Sequence, residues 1–243
     1  MVPHAGHRYS GPVAGFAFKA LQGLEIDIVA VISPMHHPYP APIITTSHAA
    51  YETPLGLVEV DHKLLQSLED ELFAALGYGM TRVPNDPEHS LEIELPFLQR
   101  ALDKPFRLLP VMVRDSSQKV TKALGKSLAH VLENQPALLI ASTDLSHFYP
   151  QNIAQQLDGE MLRQVQAFSP DGVLHAEETG TGFACGRGAL AAVMWAAQEL
   201  GANHAQILHY ATSGNVTGDF TQVVGYGAAI FTRIEENGIK ILD

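Results

Sequence analysis

Along this chain, short uninterrupted apolar runs alternate with stretches in which a leucine or valine returns every four positions. Residues 26–33 (IDIVAVIS), 106–113 (FRLLPVMV), 137–143 (ALLIAST), 205–211 (AQILHYA) and 223–231 (VVGYGAAIF) are of the first kind. Such runs, apolar on both faces, suit strands in the middle of a sheet that is covered above and below. Leu64, Leu68, Leu72 and Leu76 are of the second kind, as are Val120, Leu124, Leu128 and Leu132, and Ile153, Leu157, Met161 and Val165 nearly so. Each set draws one apolar stripe along a helix. Residues 189–200 are apolar round most of the circumference, which predicts a helix packed deeply on the sheet. The alternation predicts an α/β fold: three layers, α/β/α, around a mixed, largely parallel central sheet. From His204 to Thr232 two strands follow each other with only a Gly/Asn/Asp turn between them, so part of the sheet is expected to be antiparallel.

Residues 34–54 form the longest stretch without period; it is proline-rich and holds His36, His37 and His48, which reads as a functional loop. The 243 residues sit near the upper limit of one hydrophobic core, and no linker interrupts the pattern, so a single domain over 1–243 is expected. With 46% hydrophobic and 17% charged residues the chain lies far from the disordered class. A net charge of −11 repels phosphate, which argues against nucleic acid and acidic membrane surfaces as partners. The longest apolar run, residues 189–197, falls well short of the roughly 20 residues that span a bilayer. The opening MVPHAGHRYSGP lacks a basic segment followed by an apolar one, so a cytoplasmic protein is expected. One cysteine, Cys185, leaves no internal disulfide; the thiol is available as ligand or nucleophile.

Ligands of open α/β sheets bind beyond the carboxyl ends of the strands. Three strand ends here empty into polar clusters: MVPHAG (1–6), PMHH (34–37) and TDLSH (143–147). Parallel strands would bring His4, His36 or His37, Asp144 and His147 into one crevice. Cys185, in TGFACGRGALAAV, sits before a helical run, where unpaired amides and the helix dipole favour thiolate. Two neutral imidazoles and a thiolate make a metal set suited to zinc, iron or copper and unsuited to magnesium or calcium. Each residue also has an ordinary reading. Strand-end histidines are commonly hydrogen-bonded loop residues, Asp144 can cap a turn, and a free cysteine is often a small buried hydrophobe. In NDPEHSLEIELPFLQRAL (85–102), Leu91, Leu95 and Leu98 form a stripe that puts His89 and Glu92 on the first turn of a helix, able to wall the pocket; Glu88 reads as part of a solvated acidic cap. Tyr9, Ser10 and Arg187 receive no chemistry from their local pattern.

Taken in order, PHAGHRYSGP, SPMHH, PEHSLEIELPFLQ, STDLSH and ACGRGA resemble the Memo family, and the resemblance runs from Pro3 to Phe231. Any one motif is weak; five in order are specific. Bacterial members include the B component of a system with an AMMECR-like domain and a radical SAM protein, which the resemblance implies as partners. The family is similar in fold to the class III extradiol dioxygenases, which use Fe(II). The resemblance implies His4, His36 and Cys185 as metal ligands, with Asp144 and His147 lining the pocket and His147 at the place of the acid/base histidine. His37, His89 and Glu92 would complete its wall. Two departures stand out. Extradiol enzymes complete their site with a carboxylate where this chain has Cys185, and a thiolate shifts preference toward copper or zinc. Memo-like chains also carry a segment and strand before PHAG, where this sequence has Met1 and Val2, so a missing segment and a loosely held His4 are expected.

Three functions follow as expectations. The first is an Fe(II)- or copper-dependent oxidoreductase acting on a small, phenolic or otherwise chelating molecule, with His147 moving the proton and Asp144 orienting it. The second is a scaffold that binds metal or peptide without catalysis. The third, a zinc hydrolase, would activate water at the same ligands.

Overall fold

The computed structural model describes residues 1–84 and 87–235. Its elements in chain order are α1 (His7–Lys19), β1 (Ile28–Pro34), β2 (Ile43–Thr46), β3 (Ala50–Thr53), β4 (Gly56–Glu59), α2 (His62–Leu76), β5 (Thr81–Val83), α3 (Leu95–Ala101) and β6 (Arg107–Val113). There follow α4 (Gln118–Leu132), β7 (Ala137–Ala141), β8 (His147–Tyr149), α5 (Gln151–Gln166), α6 (Pro170–Glu178), α7 (Arg187–Glu199), β9 (His204–Thr212), α8 (Gly214–Thr217) and β10 (Val223–Thr232).

A five-stranded sheet runs β5-β2-β6-β1-β7, with β1 parallel to β6 and β7 and with β2 antiparallel to β6. Period-two alternation explains the three layers. Ile28, Ala30 and Ile32 of β1 enter the core beneath α2, α4 and α7, whereas Val29 and Val31 enter the opposite core beneath α1 and α3. β1 and β6 are therefore covered on both sides, as expected of a mostly parallel sheet, whereas β7 and β9 lie at sheet edges and are only partly buried. The leucine stripe of α2 sends Leu65, Leu68 and Leu72 to the first core, together with Leu124 and Leu128 of α4. The α7 segment is buried over almost its whole length, as its composition predicts.

The closing strands β9 and β10 pair antiparallel, and β8 borders β10 on its other side. Met1 and Val2 lie in the seam between the two sheets. Val2 pairs parallel with Ser142, donating to the Ala141 carbonyl at 2.9 Å and accepting from Thr143 N–H at 2.8 Å, while the Met1 carbonyl accepts from Ala229 N–H at 3.1 Å. The turn expected between the closing strands holds the short helix α8. Residues 34–54, expected to be loop, contain β2 and half of the β3–β4 hairpin. Helix α1 escapes its sequence pattern because Gly11, Pro12 and Gly15 all weaken helix propensity. Phe18 compensates by stacking on Phe97 of α3. The 85–102 segment begins later than expected: a 3₁₀ turn at Glu92–Glu94 precedes α3, whose second residue, Pro96, needs no amide partner there. Asn85 and Asp86 lie outside the described residues.

Candidate functional site

Because β1 and β7 are parallel and Val2 pairs parallel with Ser142, three chain segments leave the sheet at one edge. The first residues beyond that edge are His4, His36 and the pair Thr143–Asp144. Cys185, just ahead of α7, reaches the same point because its N–H donates to the Asp144 carbonyl at 3.2 Å. Gly186 permits the approach: a Cβ there would meet the Ser142 carbonyl oxygen at 2.4 Å.

His4, four residues into the sequence, is firmly held. Its N–H donates to Asp144 Oδ1 at 2.8 Å, Ala5 N–H donates to the same oxygen, and its Nδ1 lies 2.9 Å from Ser142 Oγ. Its Nε2 faces Cys185 Sγ at 3.2 Å. His36 is held by Glu88, whose Oε2 accepts from His36 N–H at 2.6 Å and whose Oε1 lies 3.0 Å from His36 Nδ1. A carboxylate on Nδ1 leaves Nε2 with the lone pair, a common arrangement for a histidine that binds metal. The Cys185 sulfur accepts from Asp144 N–H at 3.2 Å and lies 3.8 Å from Thr143 Oγ1.

Among the described residues, two groups bring ligand atoms within 4.8 Å of one another: His4 with His36 and Cys185, and His36 with Glu88 and His89. In the second group Glu88 Oε1 already accepts from the N–H of His89 and of Ser90 as well as facing His36. That carboxylate is a brace, and the first group is the better cation set. Its 3.2 Å S–N pair approaches the roughly 3.5 Å separating sulfur and nitrogen donors about one zinc-sized ion.

Electrostatics follow burial. Burial, then neighbouring His36, depresses the His4 pKa well below the imidazole range, and the same two causes lower that of His147. Burial works against the Glu88 charge, but hydrogen bonds from His36 and the backbone prevail and hold its pKa well below the carboxylate range. Burial pushes the Asp144 carboxyl up to about 7 despite the His4 and Ala5 amides. The Cys185 thiol is likewise raised, by burial first and the Asp144 charge second. Its place before a helix therefore does not make it a free thiolate; burial outweighs the dipole.

The remaining sequence candidates divide. His89 stacks on His36 with ring centroids 5.7 Å apart and meets His4 edge-on. His147 sits between the rings of Phe148 and Phe183. Asp144 Oδ1 accepts from the backbone of His4 and Ala5, so the carboxylate braces a neighbouring histidine. His37 and Glu92 are exposed and take no part in these contacts. Glu88 and Glu94, by contrast, are buried, at 3% and 0% exposure, so the solvated-cap reading of Glu88 is corrected. Sequence reasoning missed Glu94 and Ser142. The signal for Glu94 was available, since positions 91, 94, 95 and 98 share the i, i+3, i+4, i+7 face of the leucine stripe. Tyr226, buried on β10 with its hydroxyl in the field of Asp144 and Tyr9, was missed as well.

A family model described as "Memo-like protein" matches residues 1–230. This chain belongs to the Memo family. It is 32% identical over 229 residues to a MEMO1 family protein of Nitrosopumilus maritimus, covering 94% of this chain and 82% of that relative. It is 34% identical to one of Methanococcoides burtonii, covering 95% and 84% respectively. Among solved structures, an uncharacterized protein of Escherichia coli K12 superposes with a TM-score of 0.51 at 14% identity, over 89% of this chain and 92% of that one, a likeness of fold alone. The Memo chain thus has the mixed α/β architecture its pattern predicts, and among its described residues no helix is long and apolar enough to cross a membrane.

Proposed function

We propose that this Memo-family chain is a metal-dependent oxidoreductase with a dioxygenase-like active site. In this reading His4, His36 and Cys185 hold Fe(II), and His147 moves a proton of a small, chelating, phenolic substrate. The observation that carries the reading is the convergence of two imidazoles and the thiol, from three distant chain segments, on one point. The donors fit a cation. His4 and His36 are each engaged through Nδ1, the sulfur is cradled by an amide donor, and three protein ligands leave positions open. Copper and zinc suit the same donors; Fe(II) is favoured by the resemblance to extradiol enzymes.

Bound there, Fe(II) supplies the dioxygen chemistry that no side chain of the site can perform. The chain's own residues do the rest. Asp144 N–H and Thr143 Oγ1 stabilise negative charge on sulfur once its proton has left. His147, neutral at pH 7 and flanked by two aromatic rings, is placed to accept a phenolic proton. Asp144, close to half-protonated at neutral pH, limits the negative charge beside the thiolate while its oxygen keeps the His4 backbone in place.

The test is elemental analysis of anaerobically purified wild type and Cys185→Ala, followed by oxygen uptake with a phenolic panel, with and without His147→Ala. A stoichiometric transition metal lost in Cys185→Ala, together with oxygen uptake that requires His147, is the expected result. Full metal occupancy in Cys185→Ala overturns the ligand set. Bound metal without turnover leaves the scaffold, and zinc-dependent ester or amide cleavage without oxygen would make the protein a hydrolase.

A further inference from the structure

Ser142 Oγ stands at the centre of three buried groups behind the site. It lies 2.6 Å from the Ser90 carbonyl oxygen, 2.8 Å from Glu94 Oε1 and 2.9 Å from His4 Nδ1. A serine hydroxyl offers one hydrogen and two lone pairs. The Ser90 carbonyl can only accept, so the single hydrogen of Ser142 goes to it. Both remaining partners must then donate. Glu94 can donate through Oε1 only as a carboxylic acid, and His4 can donate through Nδ1 only if Nδ1 carries the proton and Nε2 is bare.

From this count we propose that Glu94 is a buried, protonated positioning residue which, acting through Ser142, presents the Nε2 lone pair of His4 to the Cys185 side of the crevice. The proposal deepens the metal-site reading and rests on it for its purpose, though the proton arrangement stands without a cation. Two further observations agree with it. Glu94 Oε2 is buried without a hydrogen-bond partner, a place where an ionised carboxylate would be far more costly than a neutral acid. Burial first, with the charge of Asp144 adding to it, raises the Glu94 carboxyl well above its ordinary range, against the opposing hydrogen bond with Ser142 and the attraction of the Met1 α-amino group. Were Glu94 ionised, it would recruit the Ser142 hydrogen, and two bare oxygens would face each other at 2.6 Å across the Ser142–Ser90 contact. The acid thus turns the hydroxyl so that a lone pair meets His4.

The arrangement is testable in full-length, metal-free protein, so its failure is distinguishable from failure of the metal reading. Infrared difference spectra between protein with and without carboxyl-¹³C-labelled glutamate should contain a protonated-acid carbonyl band at neutral pH, absent from Glu94→Gln. Two-bond ¹H–¹⁵N spectra of ¹⁵N-histidine protein, with His4 assigned by its loss in His4→Gln, should give the Nδ1–H pattern. Glu94→Gln, whose amide donates to Ser142 as the acid does, should keep that pattern and bind zinc within about threefold of wild type. Ser142→Ala should lose it and weaken zinc binding by about 10- to 100-fold, the range seen when a partner of a metal-bound histidine is removed. An ionised Glu94, an Nε2–H pattern at His4, or a tenfold loss of zinc affinity in Glu94→Gln overturns the proposal. Should Glu94→Gln fail to fold, the two wild-type spectra decide it.

Discussion

The two walls of the crevice are built on opposite plans. On the inner wall, His4, Ser142, Asp144 and Cys185 are tied by short hydrogen bonds to backbone and to one another. On the outer wall, His147 lies beside the rings of Phe148 and Phe183, and Phe148 is 70% exposed with a φ of +61°. A bulky residue in the left-handed region stores strain of about 1–3 kcal/mol. Under the proposed function, the contrast separates two tasks. Holding a cation requires side chains with no freedom, whereas receiving a substrate and moving its proton require a side chain with access.

The largest effect is expected on the inner wall. Cys185→Ala should reduce metal affinity by more than the roughly 100-fold typical of a supporting residue, measured by competition with a chelator. Next comes the outer wall, where His147→Ala should leave metal content unchanged while lowering turnover by about 10²–10⁴-fold, the usual contribution of a proton-transfer group. Equal losses of metal in both variants would erase the distinction. Glu88→Gln, which removes the charge facing His36 Nδ1, should weaken metal binding about 10- to 100-fold with His147 undisturbed.

A pH series sharpens the inner wall further. The buried thiol is raised, so Cys185 is protonated at neutral pH and metal uptake must expel one proton. Apparent affinity should therefore rise about tenfold per pH unit below the thiol pKa, and calorimetry in buffers of different ionisation enthalpy should report the proton. The smallest effect belongs to Phe148→Gly. Glycine accepts a positive φ freely, so the urea midpoint should rise or hold, reflecting about 1 kcal/mol of relieved strain, while metal binding stays as it was.

Much of this division was legible in the sequence. Uninterrupted apolar runs marked β1, β6 and β7, and their parallel pairing placed His4, His36, Asp144 and His147 at one edge. The pairing of Cys185 with His4 required a contact across 181 positions, which no local pattern reports. Helix α1 was hidden by glycine and proline that tertiary packing overrules. Glu92 lies out of phase with the apolar stripe and is exposed. Counting two residues further reaches the stripe of Leu91, Leu95 and Leu98, and there an acid is forced inward. His37 adjoins His36 and is exposed.

Val2 on the β7 side and Met1 on the β10 side stitch the two sheets together, and His4 stands two residues beyond that stitch. A cation gripping His4, His36 and Cys185 would rivet together three chain segments far apart in sequence. Chelation should accordingly loosen the region from Met1 to Ala5 before any other, and hydrogen exchange would register it as faster turnover of the Val2 and Thr143 amides while the amides of β1 keep their protection.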